Sequence, residues 1–315
     1  MVEASIGPGR GVPDEGHEMK NHAAPMGAIV VGVAAPTSGA ALRWAAEEAV
    51  RTSRPLHVVH VIEGLTHAPV DLEDHVDHAT EVTIRQVLET YPGLRVTAGT
   101  DTGSAAAALV SASHTAETVV VGAPAHGVVA SVVFGSVSLQ VAMHAACPVV
   151  VVHDRPAVAK DLPESRVVVG LDASERSEQA LEFGFEQADR RRIGLTAVAC
   201  WSWEDSGGNV PGPMQVGLWE NAEVQDRRLV SELLAGWHEK YPDISVQRRL
   251  VSGRTVPTLL KEAEGAALLV VGSRGRGGFA GLLLGSVSQR IIERATCPVA
   301  IVPSPEVVAE ERISR

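Results

Sequence analysis

The chain has few aromatic residues and no long apolar run, and both shortages limit the fold classes that it can adopt. Aromatic residues make up 3% of the 315 residues, whereas hydrophobic residues as a group make up 45%. A core built mainly of Val, Ala, Leu and Gly suits parallel strands covered by helices better than an antiparallel sandwich. No segment reaches the roughly 20 apolar residues that a membrane-spanning helix needs, so we expect a soluble protein without a membrane partner.

A surplus of basic residues is also lacking. The formal net charge is −11. Residues 1–160 carry 9 Lys/Arg against 16 Asp/Glu, and the remainder carries 18 against 22. Proteins that bind DNA or RNA need a basic surface. We therefore expect no nucleic-acid partner.

Cysteine is scarce, and its placement argues against disulfides. Cys147, Cys200 and Cys297 form no CxxC motif and no even-numbered framework. Such a pattern favours a reduced, cytoplasmic protein with buried cysteines rather than catalytic thiols. Residues 1–26 lack the apolar core of a signal peptide, so the sequence predicts that they form a disordered tail.

The chain contains an internal repeat. Residues 119–153 align with residues 269–303 at a constant offset of 150, which pairs Gly122 with Gly272. Upstream the offset is 138 between Gly32 and Gly170 and 139 from Leu42 and Leu181 onward. The second copy is therefore longer by 11 residues further along, and the Gly/Pro-rich segment Ser206–Leu218 is the predicted insertion. The repeat predicts these boundaries: a tail over 1–26, domain 1 over 27–153, a linker over 154–164, domain 2 over 165–303 and a tail over 304–315.

Each copy alternates short apolar runs with helical patterns. A bare apolar run of about five residues is typical of a strand buried on both faces. The prediction for copy two is strands at Val167–Leu171, Leu195–Cys200, Val246–Val251, Ala267–Val271 and Val299–Val302, with helices from Ser177 and over Asn221–Lys240, Val256–Glu264 and Ser286–Ala295. We therefore predict two tandem, doubly wound, five-stranded parallel-sheet domains of the Rossmann-like type. Ligands of such sheets bind beyond the carboxyl ends of the strands.

A glycine loop with the spacing G-x2-G-x9-G-S lies between the fourth strand of copy two and its last helix. Gly272, Gly275 and Gly285 let backbone amides approach an anion, and a helix N-terminus favours phosphate. Arg274 and Arg276 add positive charge, and a mobile loop with an ordinary helix cap is the alternative. Ser286 is the expected cap, with Gln289 at capping-box spacing. A Walker motif is missing, and the G-x-G-x-x-A letters follow the wrong strand for a dinucleotide fingerprint.

This loop, the following Cys-Pro-Val strand and the opening VVVGLDASERS of copy two resemble the universal stress protein family. The resemblance covers about residues 27–153 and 165–303. It implies an adenine nucleotide α-hydrolase-like fold that binds ATP, alone or with Mg²⁺, and a stress-response role. It also implies a homodimer built on an internal pseudo-dimer, in which the apolar last strands Pro148–Val152 and Pro298–Val302 pair. The residues that the resemblance assigns to the nucleotide in domain 2 are Gly170, Asp172, Cys200, Gly272, Ser273, Arg274, Gly275, Arg276, Gly277, Gly278, Gly285, Ser286 and Val287.

Copy one departs from this pattern. Ala34 stands where copy two has Asp172, Ala125 stands for Gly275, and Pro124 and His126 replace the two arginines. An uncharged loop with a proline offers fewer amides and no permanent cation to a triphosphate. We therefore expect a weaker domain 1 site, formed by Gly32, Gly122, Gly127, Gly135, Ser136 and Val137.

The sequence suggests no catalytic constellation and no closed set of metal ligands. His67, His75 and His78 lie among acidic residues, and solvated helix polarity is the simpler reading. The leading hypothesis is a regulatory ATP-binding protein. Two alternatives stay open: an enzyme of the adenine nucleotide α-hydrolase-like group that hydrolyses or transfers from ATP, and a nucleotide-free scaffold.

Overall fold

The structure is a computed structural model, and it describes residues 24–33, 39–62, 78–123, 136–153, 165–172, 177–201, 228, 230–275 and 283–304. The predicted linker and the predicted insertion lie outside these ranges, as do most residues of the two predicted tails. Among the described residues, no helix is long and apolar enough to cross a membrane.

The first half of the chain alternates strands and helices. Short Val-rich runs form its strands, because β-branched side chains pack well on a pleated, buried surface. Its elements are β1 (Ile29–Val33), α1 (Gly39–Thr52), β2 (Leu56–Ile62), α2 (His78–Thr90), β3 (Val96–Thr102), α3 (Ala105–Ser113), β4 (Thr118–Ala123), α4 (Ser136–His144) and β5 (Val149–His153).

The second half repeats this order, and the predicted strands and helices of copy two are confirmed with shifts of one or two residues at their ends. Its elements are β6 (Val167–Leu171), α5 (Ser177–Arg191), β7 (Leu195–Trp201), α6 (described over 230–240), β8 (Val246–Ser252), α7 (Thr255–Glu262), β9 (Leu268–Gly272), α8 (Ser286–Arg294) and β10 (Val299–Val302). The first turns predicted for α6, residues 221–227, are outside the described residues.

All ten strands form one continuous sheet in the order β3-β2-β1-β4-β5-β10-β9-β6-β7-β8. Within each half every strand pair is parallel. Helices cover both faces, which is why the central strands are apolar along their whole length rather than alternating. The fold is therefore a tandem Rossmann-like α/β fold, as predicted.

The two halves meet through the antiparallel pairing of β5 with β10. The register pairs Val299 with Val151, Ala300 with Val150 and Ile301 with Val149. Because equivalent residues of the two copies differ by 150, Val150 and Ala300 are the same repeat position, and a pseudo-twofold axis passes between them. Both residues are fully buried. The predicted internal pseudo-dimer is thus confirmed, and neither apolar edge strand is left exposed.

Val150 and Ala300 differ in size and pack against each other at the axis. We therefore expect the two side chains to share the space there, so that a change in one alters the effect of a change in the other. Val150→Ala should destabilise the protein by about 1–3 kcal/mol through a cavity, and Ala300→Val should do so by a similar amount through overpacking, about 1–3 kcal/mol. The double variant should lose at least about 1 kcal/mol less than the sum, because the partners exchange volume across the seam. Urea denaturation of the four proteins measures this coupling.

The control pairs Ala300→Val with Val31→Ala. Val31 is equally buried but lies in β1, three strands from β10 and hence about 14 Å away. Their effects should add. Equal non-additivity in both pairs would show that the coupling does not come from the axis contact.

Candidate functional site

The parallel strands of domain 2 bring three predicted site residues to one edge of the sheet. β6 pairs with β7 so that Leu171 lies beside Ala199, and it pairs with β9 so that Val169 lies beside Val270. Continuing both registers places Asp172, Cys200 and Ser273 at the same level. Asp172 and Ser273 directly follow β6 and β9, and Cys200 is the last residue but one of β7. This is the edge where sheets of this type bind ligands.

Asp172 is held at this edge by the first residue of α5. The Ser177 hydroxyl donates to Asp172 Oδ1 at 2.7 Å, and it accepts from the Asp172 backbone N–H at 3.2 Å. Ser177 is buried. The reciprocal pair fixes the carboxylate of Asp172 in position, and sequence reasoning had not assigned Ser177 a role. The spacing D-x4-S at a strand–helix junction is the signal that could have identified it.

The glycine loop passes directly against Asp172. A Cβ placed on Gly275 would lie 2.8 Å from Asp172 Oδ2, which is closer than real Cβ contacts allow. A side chain at Gly275 would therefore have to displace the loop or a carboxylate that Ser177 holds by its other oxygen. The structure thus joins two motifs that are about 100 residues apart in the sequence, the acid after β6 and the glycine loop after β9.

The start of the loop is anchored to the segment that contains β10. The Ser273 backbone N–H donates to the Val302 carbonyl at 2.8 Å, and its hydroxyl oxygen accepts from the Ser304 backbone N–H at 3.2 Å. The Ser273 carbonyl accepts from the Gly285 backbone N–H at 2.8 Å. Ser273 is 1% exposed. It therefore supports the loop from beneath, and its hydroxyl does not face solvent.

The loop returns to the sheet at the N-terminus of α8. Gly285 is the N-cap residue and no side chain caps the helix, so the predicted cap by Ser286 is wrong: Ser286 is the first residue inside the helix. The first N–H groups of a helix have no partners within it and carry the positive end of the helix dipole. One turn in, the buried Ser288 hydroxyl donates to the Gly272 carbonyl at 2.7 Å, which ties the helix start to the end of β9.

Gly170 and Cys200 both lie against α7. A Cβ on Gly170 would lie 3.1 Å from Val271 and 3.2 Å from Leu259, so the glycine makes room for α7 against the sheet. The Cys200 sulfur lies 4.0 Å from the Thr255 carbonyl oxygen. Arg274 is half-buried in the described part of the loop. Arg276, Gly277 and Gly278 lie outside the described residues.

The equivalent edge of domain 1 is described only in part. Gly32 repeats the packing role of Gly170, since a Cβ there would lie 2.7 Å from the side chain of Leu109. Gly122 is the last residue but one of β4 and is half-buried, and Ser136 and Val137 begin α4. Ala34, Ala125, Gly127 and Gly135 lie outside the described residues, so the weaker domain 1 site stays a prediction.

The described residues contain no group of three or more His, Cys, Asp and Glu side chains arranged to hold a metal ion. Of the three histidines considered from the sequence, His67 and His75 lie outside the described residues. The backbone of His78 begins α2.

Two Rossmann-like halves that share one sheet, with a glycine loop against an acidic strand end, define a tandem-domain α/β protein. The model of the universal stress protein family matches residues 26–153 and again residues 164–303. The chain therefore belongs to the universal stress protein family, as a tandem-domain member. The resemblance seen in the sequence is confirmed.

Individual relatives share the tandem length. A universal stress protein of Mycolicibacterium smegmatis is 41% identical over 298 residues, covering 87% of this chain and 96% of that protein. One from Mycobacterium tuberculosis is 35% identical over 288 residues, covering 87% and 95%. A solved universal stress protein from Archaeoglobus fulgidus has a TM-score of 0.60 at 20% identity, covering 88% of this chain and 98% of its own, and it supports the fold.

The three cysteines are free and their environments predict low reactivity. Desolvation by burial raises the pKa of Cys147 from 9.0 to about 12, and it raises the pKa of Cys200 and of Cys297 to about 11. At pH 8 we expect iodoacetamide to alkylate the native protein at least about 100-fold more slowly than the urea-unfolded protein, because the thiolate is the nucleophile.

The same shifts predict a loss of stability in alkali. A thiol whose folded pKa is raised stabilises the fold fully below its unfolded pKa of 9.0, and this contribution falls as the pH rises towards 11–12. Cys200→Ser, with a poorly ionised hydroxyl, provides the control for the partly exposed position. Rapid alkylation of any native cysteine at pH 8 would contradict the assignment of buried, neutral thiols.

Proposed function

We propose that this universal stress protein is a regulatory ATP-binding protein whose nucleotide is held mainly by domain 2. The observation that carries the proposal is that the Asp172 carboxylate occupies the space beside Gly275, with Oδ2 2.8 Å from where a Cβ on Gly275 would lie. It puts an acceptor for sugar hydroxyls next to a loop that is built to approach an anion closely.

The charges suggest how the nucleotide would be oriented. A carboxylate repels phosphate, so Asp172 belongs at the ribose end of the ligand, where it can accept hydrogen bonds from hydroxyl groups. The phosphates would then extend along the glycine loop towards the N-terminus of α8, where Ser286 and Val287 begin the helix and Arg274 supplies a cation. Gly275 would lie at the junction between these two parts.

A regulatory role is favoured over catalysis because nothing in the described part of the site offers a base positioned for water. Asp172 is already hydrogen-bonded to Ser177, and burial keeps Cys200 a neutral thiol, since its pKa is raised to about 11. The proposal extends to a cytoplasmic location, which three free cysteines favour. It also extends to a homodimer that uses surfaces other than β5 and β10, because these strands already pair within the chain.

The sharpest test is Gly275→Ala. Its Cβ must displace the loop or the carboxylate, so we expect ATP affinity to fall at least about tenfold, or about 1.4 kcal/mol. Isothermal titration of the unmodified protein, with and without Mg²⁺, should give close to one tight site per chain, since domain 1 lacks the acid and both arginines.

Gly236→Ala is the matched control for this substitution. Gly236 lies in α6 of the same domain and nothing lies within 4 Å of an added Cβ, so ATP affinity should not change. Two equal tight sites per chain, or unchanged ATP binding by the Gly275 variant, would contradict the proposed site.

Arg274 separates phosphate recognition from nucleoside recognition. If it meets the phosphates, Arg274→Ala should weaken ATP by roughly one to two orders of magnitude, the equivalent of a charge-assisted hydrogen bond of about 1.5–3 kcal/mol. Adenosine, which has no phosphate, should bind the variant and the parent protein alike. Equal losses for ATP and adenosine would place Arg274 outside the phosphate site, and rapid release of phosphate from ATP would favour the enzyme hypothesis.

A further inference from the structure

A buried carboxylate lies at the seam between the two domains. Glu48, on α1, is 1% exposed, and its counterpart across the seam is Gln187 on α5, which is fully buried. Gln187 Nε2 donates to Glu48 Oε1 at 2.9 Å. Two arginines contact the other carboxylate oxygen: Arg51 from the same helix and Arg191 from α5, each at 2.8 Å. Arg190 of α5 lies 3.9 Å from Oε1. The charge of Glu48 is therefore fully paired, and all of these partners except Arg51 belong to domain 2.

The repeat shows that this cluster is asymmetric. At the upstream offset of 139, Glu48 and Gln187 are the same repeat position, as are Thr52 and Arg191. Like Val150 and Ala300, the first pair meets across the pseudo-twofold axis. Domain 1 contributes the acid and lacks the arginine, and domain 2 contributes the arginine and lacks the acid.

Arg191 makes two further contacts in addition to its ion pair with Glu48. Besides Glu48 it donates to the side-chain oxygen of Gln187, and its guanidinium lies 5.5 Å from the ring centroid of Trp44 on α1. Burial lowers its pKa while Glu48 acts in the opposite direction. Glu48 supplies the carboxylate that this guanidinium contacts, so removing Glu48 would break a buried ion pair.

A second contact repeats the asymmetry nearer the surface. Arg190 Nη2 on α5 lies 3.3 Å from Glu117 Oε1 of domain 1. At the downstream offset of 150, the position equivalent to Glu117 is Ala267, so domain 2 again lacks the acid. Arg190 itself has a counterpart, Arg51. Glu48 and Glu117, the two domain 1 acids that contact α5, thus have no acidic counterpart in domain 2.

We propose that the Glu48–Gln187–Arg191 cluster makes the seam selective for unlike halves, so that domain 1 accepts domain 2 and rejects a second copy of itself. Two copies of domain 1 would place Glu48 against Glu48 without Arg191. Two copies of domain 2 would place Gln187 against Gln187 and bury two Arg191 guanidiniums without the carboxylate of Glu48. Like charges brought together in this way oppose a wrong partner. The partner that this surface fits is the other half of this chain.

The test exchanges the seam residues in the full-length chain. Glu48→Gln/Thr52→Arg gives both halves the domain 2 set, and Gln187→Glu/Arg191→Thr gives both halves the domain 1 set. Combining all four substitutions restores one acid and one arginine with their domains exchanged. Urea denaturation curves of the parent, the two half-exchanged chains and the fully exchanged chain, all fitted in the same way, give the equilibrium constant of unfolding of each protein.

Each half-exchanged chain should be easier to unfold by a factor on the order of 100 or more, as expected when a buried ion pair is broken. The fully exchanged chain should recover most of this loss, because its charges match again. Should neither half-exchanged chain fold, the fully exchanged chain still decides: folding with a denaturation midpoint close to the parent supports the proposal, and failure to fold overturns it. A loss equal to the sum of the two half-exchanges also overturns it.

An exposed ion pair provides the charge control. Arg228 and Glu232 on α6 lie 2.8 Å apart with side chains 79% and 58% exposed. Exchanging them as Arg228→Glu/Glu232→Arg should change the unfolding constant by less than about fivefold. A change as large as that of the half-exchanged seams would mean that moving charges anywhere on the helices is enough, and it would overturn the role given to the seam.

Discussion

The antiparallel pairing of β5 with β10 is the contact on which the rest of the molecule depends. Each half alone would expose an apolar edge strand, and the pairing buries both edges in one ten-stranded sheet. Because strands are parallel within each half and antiparallel across the seam, the carboxyl ends of the two sets point in opposite directions. The carboxyl edges of the two halves therefore lie at opposite ends of the sheet.

The same seam reaches the candidate site of domain 2. β10 pairs with β5 on one side, and on the other its last residue, Val302, accepts the backbone N–H of Ser273 at the root of the glycine loop. The helix that receives the loop is also contacted by domain 1, since His153 Nε2 lies 2.8 Å from the Ile292 carbonyl oxygen and donates to it. Domain 1 thus helps to fix the strand and the helix that frame the loop.

Close packing of helices against the sheet explains why glycines recur near the strand ends. Gly32 and Gly170 occupy the same repeat position, and each makes room for a leucine of the helix that precedes the fourth strand of its half, Leu109 or Leu259. Gly275 is different, because a side chain there would meet a polar group, the carboxylate of Asp172. The glycine pattern alone cannot separate these cases, since both leave the same letter in the sequence.

The sequence by itself determined the repeat, the strand and helix order of domain 2, the Rossmann-like class and the pairing of the last strands, because hydrophobic periodicity and self-similarity are local or linear signals. It also located Asp172 and the glycine loop. Only the tertiary structure decided that Gly275 lies against Asp172, that Ser177 holds the acid, that Gly285 rather than Ser286 caps α8, and that Glu48 meets Gln187. The Gly275–Asp172 and Glu48–Gln187 contacts join residues more than about 100 positions apart, which no local pattern reveals. The Ser177 and Gly285 contacts are local, but they depend on how each loop meets the start of its helix.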